Sequence, residues 1–232
     1  MQETLAHQEV LRNSLLIISM ILLATLAVSR LVYPKLFSYV YGFEKLLIFK
    51  YREDFGSGIR LLSTESFFFT SLLSAILSFV FICISSQLDN QILVNNHFLS
   101  LGSFWLTLGT WLIVSLFILF LFFLKFLFVR FFGWLFALPY TITRHFQEFQ
   151  NFNNLIAIVL FSITLAGLYW QFKFPTGLDE FLMVLIAIYL FFRLINLFFK
   201  IRSLRACSNL YIFSYLCSTE LIPTFLVLKF LV

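Results

Sequence analysis

The residue best placed to do chemistry in this 232-residue chain is Glu220. It stands in the apolar segment 208–231, about twelve residues from either end, so at 1.5 Å per residue it falls near the middle of a bilayer-length helix. A carboxyl group at that depth costs about 2.5–3.5 kcal/mol on insertion scales, and it must face other protein rather than lipid. The surrounding residues are Cys217-Ser218-Thr219-Glu220-Leu221-Ile222-Pro223-Thr224. Pro223 has no N–H to offer the carbonyl of Thr219, and its ring presses on that carbonyl. This predicts a kink and an unclaimed backbone acceptor beside the carboxyl group. Hydroxyls of Ser218, Thr219 and Thr224 are suited to re-satisfy the freed backbone. Cys217, Glu220 and Thr224 follow at spacings of three and four, which puts them on one helical face.

The best partner for Glu220 is Arg193 in the preceding apolar segment, with Asn196 one turn below it. The two backbones differ in depth by roughly 9 Å at 1.5 Å per residue, which two long side chains span if the helices are neighbours. Snorkelling to the membrane face is the preferred reading for Arg193, as it is for Lys125. Two chemistries compete for Glu220. One is a proton- or ion-handling site. The other, which is favoured, is a carboxyl that locks helices together by hydrogen bonding, because transport calls for several convergent polar groups and the spans show few.

These residues need elements that hold them inside a membrane. Hydrophobic residues make up 61% of the chain and charged residues 12%, with 34 Phe and a mean hydropathy of +0.98. A soluble core of this size does not hide so much apolar surface. Six segments reach or approach the length that crosses a bilayer: about 13–29, 66–86, 104–125, 154–170, 181–199 and 208–231. The expected fold is all-α, a polytopic transmembrane helical bundle forming a single integral membrane domain over 1–232. Residues 33–55 and 126–153 mix aromatics with charges and predict amphipathic helices at the cytoplasmic interface. The apolar run after Phe104 continues to Leu138 and is too long for one crossing, so it is expected to project or to bend near Gly133 before Pro139 ends it. The stretch TITRHFQEFQNFNN that follows is read as a cytoplasmic turn.

Loop charge sets the orientation. Arg30, Lys35, Lys45, Lys50, Arg52 and Arg60 lie between the first two spans, and the next connection has no Lys or Arg. Lys125, Arg130 and Arg144 follow the third span, Lys173 faces Asp179 and Glu180 after the fourth, and Lys200, Arg202 and Arg205 follow the fifth. This alternation places both termini outside, in the periplasm of a bacterial inner membrane, with Lys229 as a mild dissent. The basic excess of 16 Lys and Arg over 11 Asp and Glu is thus explained by the membrane, and no nucleic-acid partner is expected. Residues 1–13 lack the positive start of a cleaved signal, and no lipidation motif is read.

Other chemistry is thin. Cys83, Cys207 and Cys217 form no C-x-x-C pair, and His7, His97 and His145 form no zinc motif. No metal, cofactor or catalytic residue is expected. Gly56-Ser57-Gly58 lacks the rest of a phosphate cradle. Tyr140, Arg144, His145 and Glu148 are the one cluster suited to a lipid-acting enzyme, and a solvated turn accounts for them.

The segment 213–232 resembles the ending of an uncharacterised family of small Bacteroidota inner-membrane proteins, known only as a domain of unknown function. The residues that carry the resemblance are Tyr215, Leu216, Cys217, Glu220 and Pro223. It implies a multi-pass membrane protein with no established activity. By association with such bacteria it implies an accessory role in secretion or gliding machinery. The reading drawn from all this is a non-enzymatic membrane subunit or scaffold of an envelope complex, whose partners are the lipid bilayer and other membrane proteins or further copies of itself. The alternative is a small proton- or ion-coupled transporter or channel built on Glu220.

Overall fold

Long runs of Leu, Ile, Val and Phe without internal Pro leave helix as the one state that satisfies the backbone within apolar surroundings. The computed structural model describes residues 2–42, 64–87, 103–136, 139–170, 178–203 and 209–222, with the side chains of 2–8, 87, 139–141, 143–144, 178–187, 203 and 209 excepted. All of its regular elements are helical: α1 (Gln2–Val32), α2 (Pro34–Tyr41), α3 (Thr64–Gln87), α4 (Phe104–Leu135), α5 (Pro139–Trp170), α6 (Leu178–Ser203), α7 (Asn209–Leu216) and a π-helical turn (Cys217–Leu221). No strand occurs among the described residues.

Four stretches are long and apolar enough to cross a membrane: Glu9–Val32, Thr64–Ser86, Phe104–Leu135 and His145–Trp170. They contain the expected spans 13–29, 66–86, 104–125 and 154–170. The chain is a helical membrane protein. Of the expected span 181–199, the side chains of 181–187 lie outside the described residues. Of the span 208–231, the described part ends at Ile222, so Pro223 and Thr224 lie outside it. Residues 43–55, the larger part of the first interfacial segment, lie outside as well.

The second connection differs from expectation. α4 runs straight through Gly133 to Leu135, and Pro139 begins α5 at a position where its missing N–H is harmless. The stretch read as a turn is therefore the first four turns of α5. Its polarity hid a helical repeat, with Phe146, Phe149 and Phe152 all buried. Gly133 allows the end of α4 and the start of α5 to approach closely, since a Cβ at this position would strike the side chain of Ile142.

The chain divides into two compact units, and α4 and α5 contribute to both. The first takes in the described residues of 1–42, 67–121 and 153–175. There α3 meets α4 through small residues: Ser78 donates to the Trp111 carbonyl at 2.8 Å, Trp111 Nε1 donates to the Ala75 carbonyl at 3.1 Å, and Ser74 and Ser115 hydroxyls lie 3.3 Å apart. Such contacts let membrane helices approach without an apolar driving force. Phe79 and Phe161 add an edge-on ring contact with centroids 5.3 Å apart.

The second unit takes in the described residues of 43–66, 122–152 and 176–232. Its apolar core is Leu197, Ile201, Ile212, Tyr215 and Leu216, with Phe132, Phe136 and Phe198 against it. This core clamps α6 to α7 and fixes where the π turn sits.

Candidate functional site

Glu220 lies in the π turn of the second unit and is 4% exposed. Three side chains from three helices close on it. Lys125 of α4 places Nζ 2.9 Å from Oε1. His145 of α5 places Nε2 2.9 Å from the same oxygen. Arg193 of α6 pairs with Oε2 through its guanidinium. The depth gap between Arg193 and Glu220 is thus bridged, and neither Arg193 nor Lys125 snorkels. Burial of the partners matches: His145 has no exposed surface, and Lys125 and Arg193 side chains are 14% and 11% exposed.

The backbone contributes too. Lys125 Nζ also donates to the carbonyl of Thr219. That is the acceptor which Pro223, lacking an N–H, leaves unclaimed. The Thr219 hydroxyl turns back to donate to the Tyr215 carbonyl at 2.9 Å. In the π turn, Ile222 N–H donates five residues back to the Cys217 carbonyl. This widening has a geometric effect on Tyr215 and Glu220. Residues five apart on a straight α-helix point about 140° away from each other; the π turn narrows that angle. The two side chains then hold opposite edges of one imidazole: Tyr215 Oη is 2.7 Å from Nδ1 and Glu220 is on Nε2.

The proton positions follow from the partners. A carboxylate only accepts, so Nε2 carries the hydrogen and donates to Glu220, and Nδ1 accepts from the tyrosine hydroxyl. The result is an oriented chain, Tyr215 to His145 to Glu220. One wall of the site is the Phe149 ring, with the Arg193 guanidinium 4.5 Å and Lys125 Nζ 5.4 Å from its centroid. A ring face attracts cations and excludes water from them. The Tyr189 ring centroid lies 6.0 Å from the Arg193 guanidinium carbon.

Of the residues singled out from the sequence, the structure unites Glu220, Arg193 and Thr219. Asn196 is buried one turn along α6 and lines a small neighbouring cavity instead. Cys217 is half-buried and faces an apolar groove of about 380 Å³ with Leu194, Phe198, Phe213 and Leu221. The spacing of three that joined it to Glu220 holds for an α-helix and not for a π turn. Pro223 and Thr224 lie outside the described residues, as do the side chains of Tyr140 and Arg144. His145 is buried against Glu220 and the half-buried Glu148 pairs with Lys200 at 2.6 Å, so neither stands in a solvated turn. Sequence reasoning missed His145, Lys125 and Tyr215 as members of this site. The signal for His145 was the Phe146-Phe149-Phe152 repeat, which makes its segment a packed helix. Among the described residues, no group of three His, Cys, Asp or Glu side chains is placed to hold a metal ion.

One family model, described as Domain of unknown function (DUF4271), matches residues 15–231, a stretch that runs through both units. No curated protein and no solved structure matches the chain.

Proposed function

The chain belongs to the DUF4271 family, and from that premise we propose that it is a six-span protein of a bacterial inner membrane that handles protons at Glu220. One observation carries the reading: Lys125, His145 and Arg193, from three helices, converge on one buried carboxylate. A lock between helices needs no such set. Apolar side chains of similar volume join helices at equal or lower cost, because each buried charge loses its hydration. Ionisable groups retained inside a membrane mark proton and ion pathways. The oriented chain through His145 adds a group that accepts at one nitrogen while donating at the other, as proton shuttles require. The helix break beside the carboxyl is a common construction for such sites.

The six spans rest on apolar run length, the interfacial helices near residues 33–55 and 126–153 on aromatics mixed with charges, and the outside placement of both termini on loop charge; all belong to the same proposal. The test uses the full chain in sealed phospholipid vesicles with a pH-sensitive dye inside. Under an imposed membrane potential the wild type is expected to take up protons, and Glu220→Gln to abolish uptake at equal protein incorporation. Wild-type vesicles no leakier than empty ones would defeat the proposal.

A second reading has its own support. Glu220 is nearly fully enclosed, and the larger groove on this unit is apolar throughout. A dry, packed carboxyl suits a non-enzymatic subunit or scaffold of an envelope complex, one that seats other membrane proteins or a second copy. This reading gains if Glu220→Gln lowers stability with no flux in either protein, and if the chain leaves native membranes with a stoichiometric partner.

A further inference from the structure

Three side chains hold the Glu220 carboxylate, and they differ in what each can do with a proton. Arg193 pairs with Oε2, and a guanidinium in a protein keeps its proton. His145 donates from Nε2 to Oε1 and accepts at Nδ1 from Tyr215, so both of its nitrogens are engaged. Behind it the path stops. His145 and Tyr215 have no exposed surface, and Tyr215 sits in the apolar core with Ile212, Leu216 and Phe136. Lys125 is the third. Its Nζ lies 2.9 Å from Oε1, and an ammonium, unlike a guanidinium, can give a proton up. Of the four side chains it also keeps the most exposed surface, 14% against 11% for Arg193, 5% for Glu220 and none for His145.

The ammonium group carries three hydrogens and turns freely about its Cε–Nζ bond. One hydrogen serves Glu220 and one serves the Thr219 carbonyl. The third has no oxygen or nitrogen acceptor among the described residues, and the Phe149 ring, 5.4 Å from Nζ, offers only its face. We infer that Lys125 is the group from which Glu220 takes its proton, the nitrogen turning between the carboxylate and this open position. The inference rests on the proton-handling reading and adds the donor.

The step balances. An N–H bond of Lys125 breaks, an O–H bond forms at Glu220 Oε1, and the electron pair stays on nitrogen. An ion pair becomes a neutral amine beside a neutral acid, so no new charge is made in apolar surroundings. A third of a turn about Cε–Nζ carries the lone pair to the open position, and the two remaining hydrogens face Glu220 and Thr219 once more. A hydronium ion at the open position gives its proton to the lone pair and leaves as water. Lys125 is an ammonium again and Glu220 is a neutral acid: one proton has entered. Arg193 keeps its protons and His145 keeps Nε2–H throughout. The Thr219 carbonyl holds the nitrogen in place while it turns, a task open to it because Pro223 supplies no N–H to claim it.

The experiment measures dye-reported proton uptake by the full chain in vesicles of phosphatidylcholine and phosphatidylglycerol, for wild type, Lys125→Arg, Lys125→Gln and Glu220→Gln, with denaturant unfolding of each in micelles. Lys125→Arg keeps the charge and the donors but cannot release a proton. It is expected to unfold at the wild-type denaturant concentration and to slow uptake by on the order of 10²-fold, the usual weight of a positioned proton donor. A lysine that only holds helices together would be replaced by arginine in uptake as well as in stability. Should Lys125→Arg fail to incorporate or unfold early, Lys125→Gln, which keeps two N–H donors and has no proton to transfer, decides by the same loss of rate. Wild-type uptake in either variant, with Glu220→Gln inactive, overturns the donor role and leaves the proton reading standing. No uptake by the wild type overturns both.

Discussion

Replacing Lys125 by Met separates two accounts of this residue by the sign of one measurement. A lysine that snorkels from the end of its span makes no bond inside the protein, and its removal would leave stability unchanged or raise it by less than the roughly 3 kcal/mol of a mid-helix charge. In the structure Lys125 instead donates to Glu220 at 2.9 Å and to the Thr219 carbonyl. Met fits the same volume and supplies no donor, so both acceptors lose a partner. Losing the whole partnership of a buried charge costs about 3–5 kcal/mol. Here Arg193 and His145 still hold Glu220, so the loss is expected at the lower end of that range, about 3 kcal/mol. The assay is equilibrium unfolding of the purified chain in detergent micelles, with Glu220→Gln and the double variant measured beside it. The double variant is expected to lose less than the sum of the two singles, with a coupling of at least about 1 kcal/mol. A Lys125→Met protein as stable as the wild type, or strictly additive losses, would refute the charge cluster as drawn.

Tyr215→Phe removes one hydroxyl from a fully buried ring and leaves His145 Nδ1 without its donor. It is expected to lower stability by about 1–3 kcal/mol and to blur the single imidazole tautomer seen by nitrogen NMR of labelled histidine; an unchanged imidazole spectrum would show that the hydrogen bond is not made. Gly133→Val forces a branched side chain against Ile142 and is expected to cost about 1–3 kcal/mol in the same unfolding assay, with Ile142→Ala restoring most of it. Two independent losses with no restoration would place the close approach elsewhere.

The sequence shows four helices long and apolar enough to cross a membrane because they follow from a one-dimensional quantity, run length. It also shows the Thr219 acceptor, because the missing N–H of Pro223 is covalent. Its partner was not legible. Lys125 lies 94 residues away, and a lone lysine in an apolar run reads the same whether it snorkels or pairs. His145 was hidden differently. Gln147, Glu148, Gln150 and Asn154 surround it in the chain, and polar composition reads as a loop until the Phe repeat is weighed against it. Gln147, Gln150 and Asn154 are buried in the packed helix, and the half-buried Glu148 pairs with Lys200 of another helix.

The π turn joins these observations into one dependence. Its five-residue bond, Ile222 to Cys217, spreads the helix where Glu220 sits. Tyr215 and Glu220 can then grip one imidazole, while Lys125 reaches the carboxylate and the Thr219 carbonyl together. An unbroken α-helix would divide these tasks: Tyr215 and Glu220 would point about 140° apart, and Thr219 would spend its carbonyl on the next turn wherever an N–H was on offer. Proline at 223 removes the N–H that an α-helical register would bring to it. Under the proposed proton-handling role, a change in the charge of Glu220 would act on Lys125, His145 and Arg193, and through them on three helices rather than on its own helix alone.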